Sequence, residues 1–406
     1  MKQDLDQLME ERGLDGMVIY GKLNGNPPLF YMVDGAKVIS GYVFKLRGQA
    51  PVMMSSPIDR EVAETSGLKV ITTNKYDFEA IQKEKSDQLS AVIELFRRAF
   101  DDLGMHGKIG FYGMLDMGSS WELINSLQKN LGIEAYGDFD QTIIDIARST
   151  KSPIEVERIR EVGRRTELVV HRTEDFLKAH KTSGVVLVQS DGTPLTIGRV
   201  HKEINRLLAE QGLDVPEGVI FAIGRDAGVP HNKGNPDDVI ALGKSIIYDM
   251  GTREANGGYY YDMTRTFCLG YAPSEVQHAY DDVRESMKMV IDAYEVGVSV
   301  RHFQRMVFDF FESRGHPTIG SDTTTTSGFV HGLGHGIGLA VHEEPFFSDQ
   351  PSNKNILKPG HIFTCEPGLY YPEKGYGVRI EDVIYIDLEG RINDLTQYPK
   401  KLVVDM

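Results

Sequence analysis

The sequence predicts an α+β protein with a smaller α/β domain over residues 1–147 and a larger domain over residues 148–406. Three observations lead to this prediction. With 406 residues and 41% hydrophobic content, the chain exceeds one ordinary domain and is apolar enough for two sizeable cores. Segments typical of strands and helices alternate over the first domain. A helix-start signal at Arg148–Glu155 then marks the beginning of the second domain.

Short apolar segments in the first domain predict strands, and longer amphipathic segments predict helices. The predicted strands are Gly16–Tyr20, Gly41–Leu46, Val52–Ser55, Lys69–Thr73 and Ile109–Tyr112, and the predicted helices are Asp87–Leu103 and Ser120–Leu131. These segments contain no cluster of candidate catalytic residues. Residues Met1–Arg12 predict a charged amphipathic helix without the apolar core of a signal peptide.

The second domain is predicted to open with a long helix. Ser152 occupies the N-cap, Pro153 the first helical position and Glu155 the third, which is a capping box for a helix that extends toward Leu177. Ser274 and Ser299 signal two later helices, Glu275–Tyr294 and Val300–Arg314, the second ending at Gly315. The segment Lys181–Pro194 predicts a short strand followed by an Asp-Gly turn, to which the sequence assigns no function.

Charge and cysteine content indicate which binding partners and which cellular compartment to expect. The net charge is −15, from 44 basic and 59 acidic residues, and no basic run interrupts the chain. This balance argues against nucleic acid or an anionic membrane as the partner. Cys268 and Cys365 are the only cysteines, too few for a disulfide framework. No segment approaches the roughly 18 apolar residues that cross a bilayer, so we expect a cytoplasmic protein.

Three acidic residues occupy costly positions in or at the ends of apolar, strand-like segments. These are Asp249 after Ser245–Tyr248, Glu366 after His361–Cys365, and Glu381 within Val378–Ile386. A charged group is expensive there unless it is paired or binds a metal. With Asp262 and His335 they form a hard, oxygen-rich set that suits Mn²⁺, Co²⁺ or Zn²⁺. Any one of these residues alone is usually a surface or core residue. The combination indicates a dinuclear centre that activates water for hydrolysis.

Strand periodicity indicates which side chains accompany the candidate ligands. Alternation puts Asp262, Thr264 and Thr266 on one face of their strand. Arg379 and Glu381 likewise share a face, so the Arg379 guanidinium is expected to steady the ligand carboxylate or to contact substrate. A plain structural ion pair is the alternative role for Arg379.

Six motifs resemble the signature of the pita-bread metallopeptidases. They are Asp249–Gly251, Asp262–Thr266, Gly334–Gly338, Val341–Glu343, Glu366–Gly368 and Arg379–Asp382, in the order found in that family. The family includes Xaa-Pro aminopeptidase (aminopeptidase P), prolidase, methionine aminopeptidase and the metal-free creatinase. The resemblance implies a C-terminal pita-bread catalytic domain and an N-terminal creatinase/prolidase-like domain, which in these enzymes caps the active site of a neighbouring subunit. A homodimer is therefore expected.

The resemblance also implies the roles of individual residues. The five metal ligands are Asp249, Asp262, His335, Glu366 and Glu381. They would hold two divalent ions, with Mn²⁺ expected and Co²⁺ or Zn²⁺ as alternatives, bridged by Asp262 and Glu381. Glu366 would shuttle the proton to the leaving nitrogen. The family's substrate-side histidines correspond to His231 and His342, which would position the substrate or stabilise charge, and His331 corresponds to a further active-site histidine.

One spacing departs from the Xaa-Pro members. Asp249 and Asp262 lie 13 residues apart, which predicts an enlarged hairpin turn over residues 252–258, with residues 256–258 tolerating positive φ. Such a loop would intrude on a pocket wall and favour short substrates.

The function predicted from these observations is hydrolysis of the peptide bond between an N-terminal residue and proline. Xaa-Pro dipeptidase (prolidase) and Xaa-Pro aminopeptidase both fit. The alternatives are a methionine aminopeptidase or another aminopeptidase without proline preference, a creatinase-like C–N hydrolase, and a non-catalytic binding protein on the same fold. The substrate in each peptidase case is a small peptide.

Overall fold

The computed structural model describes residues 4–406 of the chain. Its contacts divide the chain into two compact units, residues 1–148 with 256–258, and residues 149–255 with 259–406. The first three residues of the predicted N-terminal helix lie outside the described residues, and the helix itself covers Leu5–Glu11 (α1).

The first unit is built on a six-stranded mixed sheet. Its strands are β1 (Gly16–Lys22), β2 (Ser40–Leu46), β3 (Val52–Ser55), β4 (Lys69–Thr72), β5 (Lys108–Met114) and β6 (Glu134–Tyr136), in the order β4-β3-β2-β1-β5-β6. Its further helices are α2 (Pro27–Val33), α3 (Arg60–Glu64), α4 (Phe78–Glu84), α5 (Gln88–Leu103), α6 (Met117–Leu131) and α7 (Ile143–Ser149). Every strand and helix predicted for this part of the chain is present, with ends shifted by a few residues.

Helix α5 shows how the sequence builds this unit. The Asp87 side chain caps it by accepting from the Ser90 amide (2.9 Å). Its apolar stripe, which includes Leu95, Phe96 and Phe100, is buried in the core with residues of the sheet. The stripe recurs at helical spacing, which is why the sequence predicts this helix well.

The second unit contains the remaining elements. Its helices are α8 (Pro153–Lys178), α9 (Ile197–Glu210), α10 (Ser274–Ala293) and α11 (Val300–Ser313). Its strands are β7 (Lys181–Ser183), β8 (Val186–Val188), β9 (Leu213–Asp214), β10 (Ile220–Ile223), β11 (Ser245–Glu254), β12 (Tyr260–Leu269), β13 (His335–Gly336), β14 (Glu343–Phe346), β15 (Ile362–Cys365), β16 (Gly368–Tyr371), β17 (Tyr376–Arg379), β18 (Asp382–Ile386), β19 (Ile392–Asp394) and β20 (Val403–Val404).

Two sheets frame this unit. One has the order β10-β11-β12-β20, with β9 also paired to β11, and the other has the order β14-β13-β15-β18-β19. They meet where the Glu381 amide donates to the Thr264 carbonyl oxygen (3.1 Å). The two remaining pairs, β16-β17 and β7-β8, form small two-stranded sheets. Glu381 is therefore fixed to the strand that carries Asp262.

The predicted capping box opens α8. The Ser152 amide donates to the Glu155 carboxylate (2.7 Å), and the Glu155 amide donates to Ser152 Oγ (3.5 Å). Further along α8, Gly163 leaves room for the Tyr261 ring of β12, which lies 2.3 Å from where a Cβ would stand. Ser274 is the first residue of α10 and not its cap, because Pro273 occupies the N-cap position.

The turn between β11 and β12 is shorter than predicted. Ladder pairing continues to Arg253 opposite Tyr260, and residues 255–259 lie between the end of β11 and the start of β12. Residues 256–258 have positive φ, as expected. The prediction of an enlarged loop over residues 252–258 is wrong, because longer strands take up the 13-residue spacing between the two aspartates.

The segment Lys181–Pro194 forms a β-hairpin, not a single strand. Strands β7 and β8 pair around Gly184, whose φ is +62°. The predicted Asp-Gly turn follows, with the Thr193 amide donating to the Asp191 side chain (2.9 Å). Within residues 4–406, none of the helices has the length and apolarity to cross a membrane.

Candidate metal centre and active site

The β11–β12 hairpin brings two of the predicted ligands to one face. Asp249 pairs with Thr264, and Gly251 pairs with Asp262. The two aspartates are therefore diagonal neighbours on the same face of the antiparallel ladder. Val341 packs on Gly251, where a Cβ would come within 2.8 Å of it. The hairpin thus presents two carboxylates to one cavity, as strand alternation predicts.

His335 is held with one ring nitrogen free. Its Nδ1 donates to the Gly336 carbonyl oxygen (3.1 Å), which leaves the Nε2 lone pair facing Glu366 Oε1 at 3.5 Å and Asp262 Oδ2 at 3.9 Å. Burial lowers the pKa of His335 to about 3, so the ring is neutral at physiological pH. A neutral imidazole with a free nitrogen is the form that binds a metal.

Backbone contacts fix the two glutamates. The Glu366 amide, just after β15, donates to the Leu333 carbonyl oxygen (2.8 Å). Glu381 lies between β17 and β18, and its Oε2 accepts from Thr264 Oγ1 (2.8 Å). Thr264 follows Asp262 by two residues on the same face of β12, so one strand supplies both a carboxylate and the hydroxyl that orients another.

The carboxyl groups of the candidate ligands lie close together, and their negative charges repel one another. Burial, with repulsion from neighbouring acids, raises the pKa of Asp262 and Glu381 well above the usual range and the pKa of Glu366 to about 8. Asp262 Oδ1 and Glu381 Oε1 are buried without a hydrogen-bond partner in the described part of the chain. Ligand atoms of Asp262, His335 and Glu381 lie within 4.8 Å of one another. This donor set, with its unpartnered oxygens, fits divalent cations.

Arg379 is the cation closest to this cluster. Its Nη2 lies 2.5 Å from Asp249 Oδ2, its Nη1 donates to the Tyr370 hydroxyl (2.6 Å), and its Nε donates to Thr264 Oγ1 (3.0 Å). The residue is 3% exposed. Arg379 therefore pairs directly with Asp249 and reaches Glu381 only through Thr264.

His331 continues this network. Its Nδ1 donates to the Gly332 carbonyl oxygen (2.7 Å), and its Nε2 accepts from the Tyr370 hydroxyl (2.9 Å). Burial, with the nearby Arg379 charge, lowers the pKa of His331 to about 3. Both ring nitrogens are thus engaged within the protein, although the ring itself lines the cavity.

His231 and His342 differ from His331 because their rings are available. Both residues are exposed at the cavity. The His342 ring lies edge-to-face on His335, with ring centroids 4.3 Å apart. Among the described residues, neither His231 nor His342 has a side-chain hydrogen-bond partner. Two imidazoles therefore stand beside the acidic cluster and are free to contact a bound molecule.

All the predicted site residues line one cavity of about 570 Å³ within the second unit. The further lining residues are Glu217, Gly218, Ile220, Pro230, Lys233, Gly251, Gly332, Gly334, Val341, Phe346, Phe347 and Ser348. Residues 252–255, the part of the predicted loop that belongs to the second unit, are not among them. The effect of residues 252–258 on substrate length stays a prediction.

Residues 157–387 match the model of metallopeptidase family M24. The protein belongs to metallopeptidase family M24. The predicted resemblance to this family is thereby confirmed, and the chain is a metal-dependent peptidase whose substrates are peptides. The M24 family implies a dinuclear divalent metal site, and the cluster around Asp262 provides a candidate ligand group for it.

Relatives of this M24 protein span its length. An uncharacterized peptidase, SH1217, from Staphylococcus haemolyticus is 32% identical over 68% of this chain and 70% of its own. An Xaa-Pro dipeptidase from Pyrococcus furiosus is 24% identical over 96% of this chain and 97% of its own. The structure of an Xaa-Pro dipeptidase from Bacillus anthracis aligns with a TM-score of 0.77 at 21% identity, covering 100% of this chain and 99% of that one. The predicted α+β, pita-bread fold is confirmed.

Sequence reasoning did not find every polar residue of this M24 site. Tyr370 joins Arg379 to His331, yet it lies in the apolar segment Gly368–Tyr371 and reads as a core residue. Glu217 and Lys233 line the cavity from loops. Lys233 follows the predicted site residue His231 by two positions, and this proximity is the sequence signal that could have placed Lys233 at the cavity.

Proposed function

We propose that this protein is a dinuclear metallopeptidase that cleaves the bond between an N-terminal residue and proline. The observation that carries the proposal is the acidic cluster with its unpartnered Asp262 and Glu381 oxygens, facing two free imidazoles in one cavity. Relatives named Xaa-Pro dipeptidase, which align over nearly the whole chain, support the proline preference.

In this proposal Asp249, Asp262, His335, Glu366 and Glu381 would hold two divalent ions. Mn²⁺ is the proposed metal, because carboxylates dominate the donor set, and Co²⁺ or Zn²⁺ would also fit. When bound, the ions would polarise the scissile carbonyl and acidify water at neutral pH.

Glu366 is proposed to carry the proton to the leaving nitrogen. As a ligand of the bound ions Glu366 would be ionised, so its carboxylate could accept a proton from the attacking water and pass it to the leaving nitrogen. The nitrogen of an Xaa-Pro bond is a tertiary amide and must be protonated to leave.

His231 and His342 are proposed to contact the substrate. Their ring nitrogens lack protein partners in residues 4–406, so they can donate to the carbonyl oxygen as charge develops on it. Arg379 and His331 are also proposed to support substrate binding. Their polar atoms already serve Asp249, Tyr370 and Gly332, so we propose that they act by shaping the cavity and orienting Asp249.

Substrate length is proposed to depend on Lys233. Of the lysine and the arginine that line the cavity, Arg379 is committed to Asp249 and Tyr370. The Lys233 ammonium is exposed and donates to the Glu217 carbonyl oxygen, which leaves two of its three donors free. A dipeptide carries its carboxylate on the residue after the scissile bond. We therefore propose that Lys233 binds this carboxylate and favours Xaa-Pro dipeptides over longer peptides.

The Lys233 assignment has a direct test. Lys233→Gln should lower kcat/KM for Ala-Pro about tenfold, the effect of losing one charge-assisted hydrogen bond, and leave Ala-Pro-amide unchanged. Lys202→Gln is the matched control, because Lys202 is exposed on α9 away from the cavity lining. An equal loss on both substrates would rule out carboxylate binding.

Domain organisation and assembly complete the proposal. We propose that residues 148–406 form the catalytic domain and residues 1–147 a prolidase-like accessory domain. A homodimer is proposed from the family resemblance. A reducing, cytoplasmic location is proposed because both cysteines, Cys268 and Cys365, are free and buried.

The experiment that tests the function combines metal analysis with a peptide panel. Purified protein should bind about two divalent ions per chain, lose activity on chelation and recover it with Mn²⁺ or Co²⁺. Comparison of kcat/KM for Ala-Pro, Ala-Pro-Ala and Ala-Ala then separates the candidates. Preference for the tripeptide would indicate an Xaa-Pro aminopeptidase, and equal cleavage of Ala-Ala would exclude proline specificity. A fully active metal-free protein would contradict the proposal as a whole.

A further inference from the structure

Lys151 and Glu343 form a buried ion pair in the second unit. Lys151 Nζ lies 2.5 Å from Glu343 Oε1, and the two side chains are only 1% and 2% exposed. Neither residue belongs to the cavity lining. Removing two charges from water costs several kcal/mol per ion and often cancels their attraction, so such a pair is a weak source of stability. Its surroundings point to a different role.

Glu343 fastens the turn that connects His335 to His342. Its backbone pairs with Gly336 across β13 and β14. Its Oε2 accepts from the Ala340 amide within the turn (3.3 Å). One carboxylate oxygen of Glu343 therefore binds the turn, and the other binds the Lys151 ammonium.

Lys151 connects the Glu343 carboxylate to backbone segments outside the turn. Its amide donates to the Gly360 carbonyl oxygen (2.8 Å), and its Nζ donates to the Ser149 carbonyl oxygen (3.1 Å). Gly338 makes space for the pair, since a Cβ there would lie 2.3 Å from Glu343 Oε1 and 2.9 Å from Lys151 Cε. The lysine is therefore held at both its backbone and its ammonium group.

The backbone that Glu343 holds in place also carries His342. His342 directly precedes Glu343, the first residue of β14, so the same stretch of backbone carries both side chains. With Glu343 directed inward to Lys151, His342 is directed to the cavity and onto the His335 ring. Loosening the ion pair would free the imidazole to leave this position.

We propose that Lys151 is a positioning residue that acts through Glu343 to hold the His342 imidazole at the cavity. This inference rests on the proposed function for the catalytic role of His342. A displacement of about 1 Å in a positioned group can cost about 10²-fold in rate.

Lys151→Met is the first test. We expect it to retain metal and KM but to lose kcat by a factor approaching that of His342→Ala. In the His342→Ala background, Lys151→Met should cause little further loss, because the two residues act through the same group. The control is Lys45→Met, which removes a lysine that is 4% exposed and paired with Asp6 in the first unit. It should leave kcat unchanged. A kcat near wild type for Lys151→Met, or a full additional loss in the double variant, would overturn the proposal.

A second measurement does not depend on hydrolysis. Diethylpyrocarbonate modifies exposed imidazoles, and peptide mass spectrometry reports the rate at each histidine. The rate at His342 should rise several-fold in Lys151→Met, while the rate at His231 stays constant. If the single variant fails to fold, Lys151→Met/Glu343→Gln removes both charges and should show the same His342 effect. An unchanged His342 rate would refute the positioning role, whereas failure of the peptide assay in wild type would refute only the proposed function.

Discussion

Chelated protein is expected to lose stability as pH rises from 6.5 to 8. Burial and neighbouring acids raise the pKa of Asp262, Glu366 and Glu381 above the usual range. A carboxyl whose folded-state pKa is raised keeps its proton in the folded protein after the unfolded chain has released it. Its contribution to stability is therefore present at low pH and is lost as pH rises through the raised pKa.

The magnitude follows from Glu366. Its pKa rises from 4.5 to about 8. Between pH 6.5 and 8 the unfolded carboxylate is already ionised, so the free energy of unfolding falls by about 2 kcal/mol from this group. His331, His335 and His361, whose pKa is lowered to about 3 by burial, act in the opposite direction and together offset about 1 kcal/mol between pH 6.5 and 8. Asp262 and Glu381, whose pKa burial also raises, add to the effect of Glu366, so the carboxylates dominate in this interval.

Thermal unfolding followed by circular dichroism in the presence of a chelator measures the effect. For a unit of this size, about 2 kcal/mol lowers the midpoint by roughly 4–8 °C. Glu366→Gln should show a smaller decrease, because its amide does not titrate. Metal-loaded protein should not show the decrease, because metal ligands bind best when deprotonated. A chelated midpoint that is equal or higher at pH 8 would refute the reasoning, and a full decrease in Glu366→Gln would refute its assignment to Glu366.

Three further predictions concern ligands, caps and glycines. Asp262→Asn should lose metal and activity together, whereas His342→Ala should keep its metal and lose about 10² in turnover; metal analysis and kinetics decide, and an empty site in His342→Ala would contradict the roles. Ser152→Ala should lower the free energy of unfolding in urea by about 1 kcal/mol, and no change would contradict its cap. Gly334→Ala should impair metal binding, because a Cβ would lie 2.0 Å from a β15 carbonyl oxygen, while Gly137→Ala, with open space, should not.

Periodicity predicted the elements whose signal is local. Helix α5 and strand β12 repeat their apolar residues at the spacing of their own type. Helix α2 was not predicted, because Pro27 and Pro28 resemble loop residues, although the Asn26 side chain caps it by accepting from the Leu29 amide (3.2 Å). The error over residues 252–258 has a similar origin. Sequence spacing counts residues between two positions but does not say where strand pairing stops.

The site could be predicted as a set of residues but not as a network. Motif resemblance identified the candidate ligands, and alternation placed Arg379 on the face of Glu381. The partner of Arg379 is Asp249, 130 residues away, because the packing of β17 beside β11 decides it. Lys151 and Glu343 are 192 residues apart. No local sequence pattern predicts such pairs, because each residue by itself resembles an ordinary charged surface residue.

The order in which the chain is synthesised bears on when this centre can form. Asp249 leaves the ribosome first among the candidate ligands and Glu381 last, 132 positions later in the sequence. The strand that carries Asp262 is also covered late, because β20 at Val403–Val404 pairs with it in parallel. A nascent chain that stops short of residue 381 therefore exposes acidic strands that lack their last ligand. The full set of candidate ligands is therefore available only after translation of nearly the whole second unit.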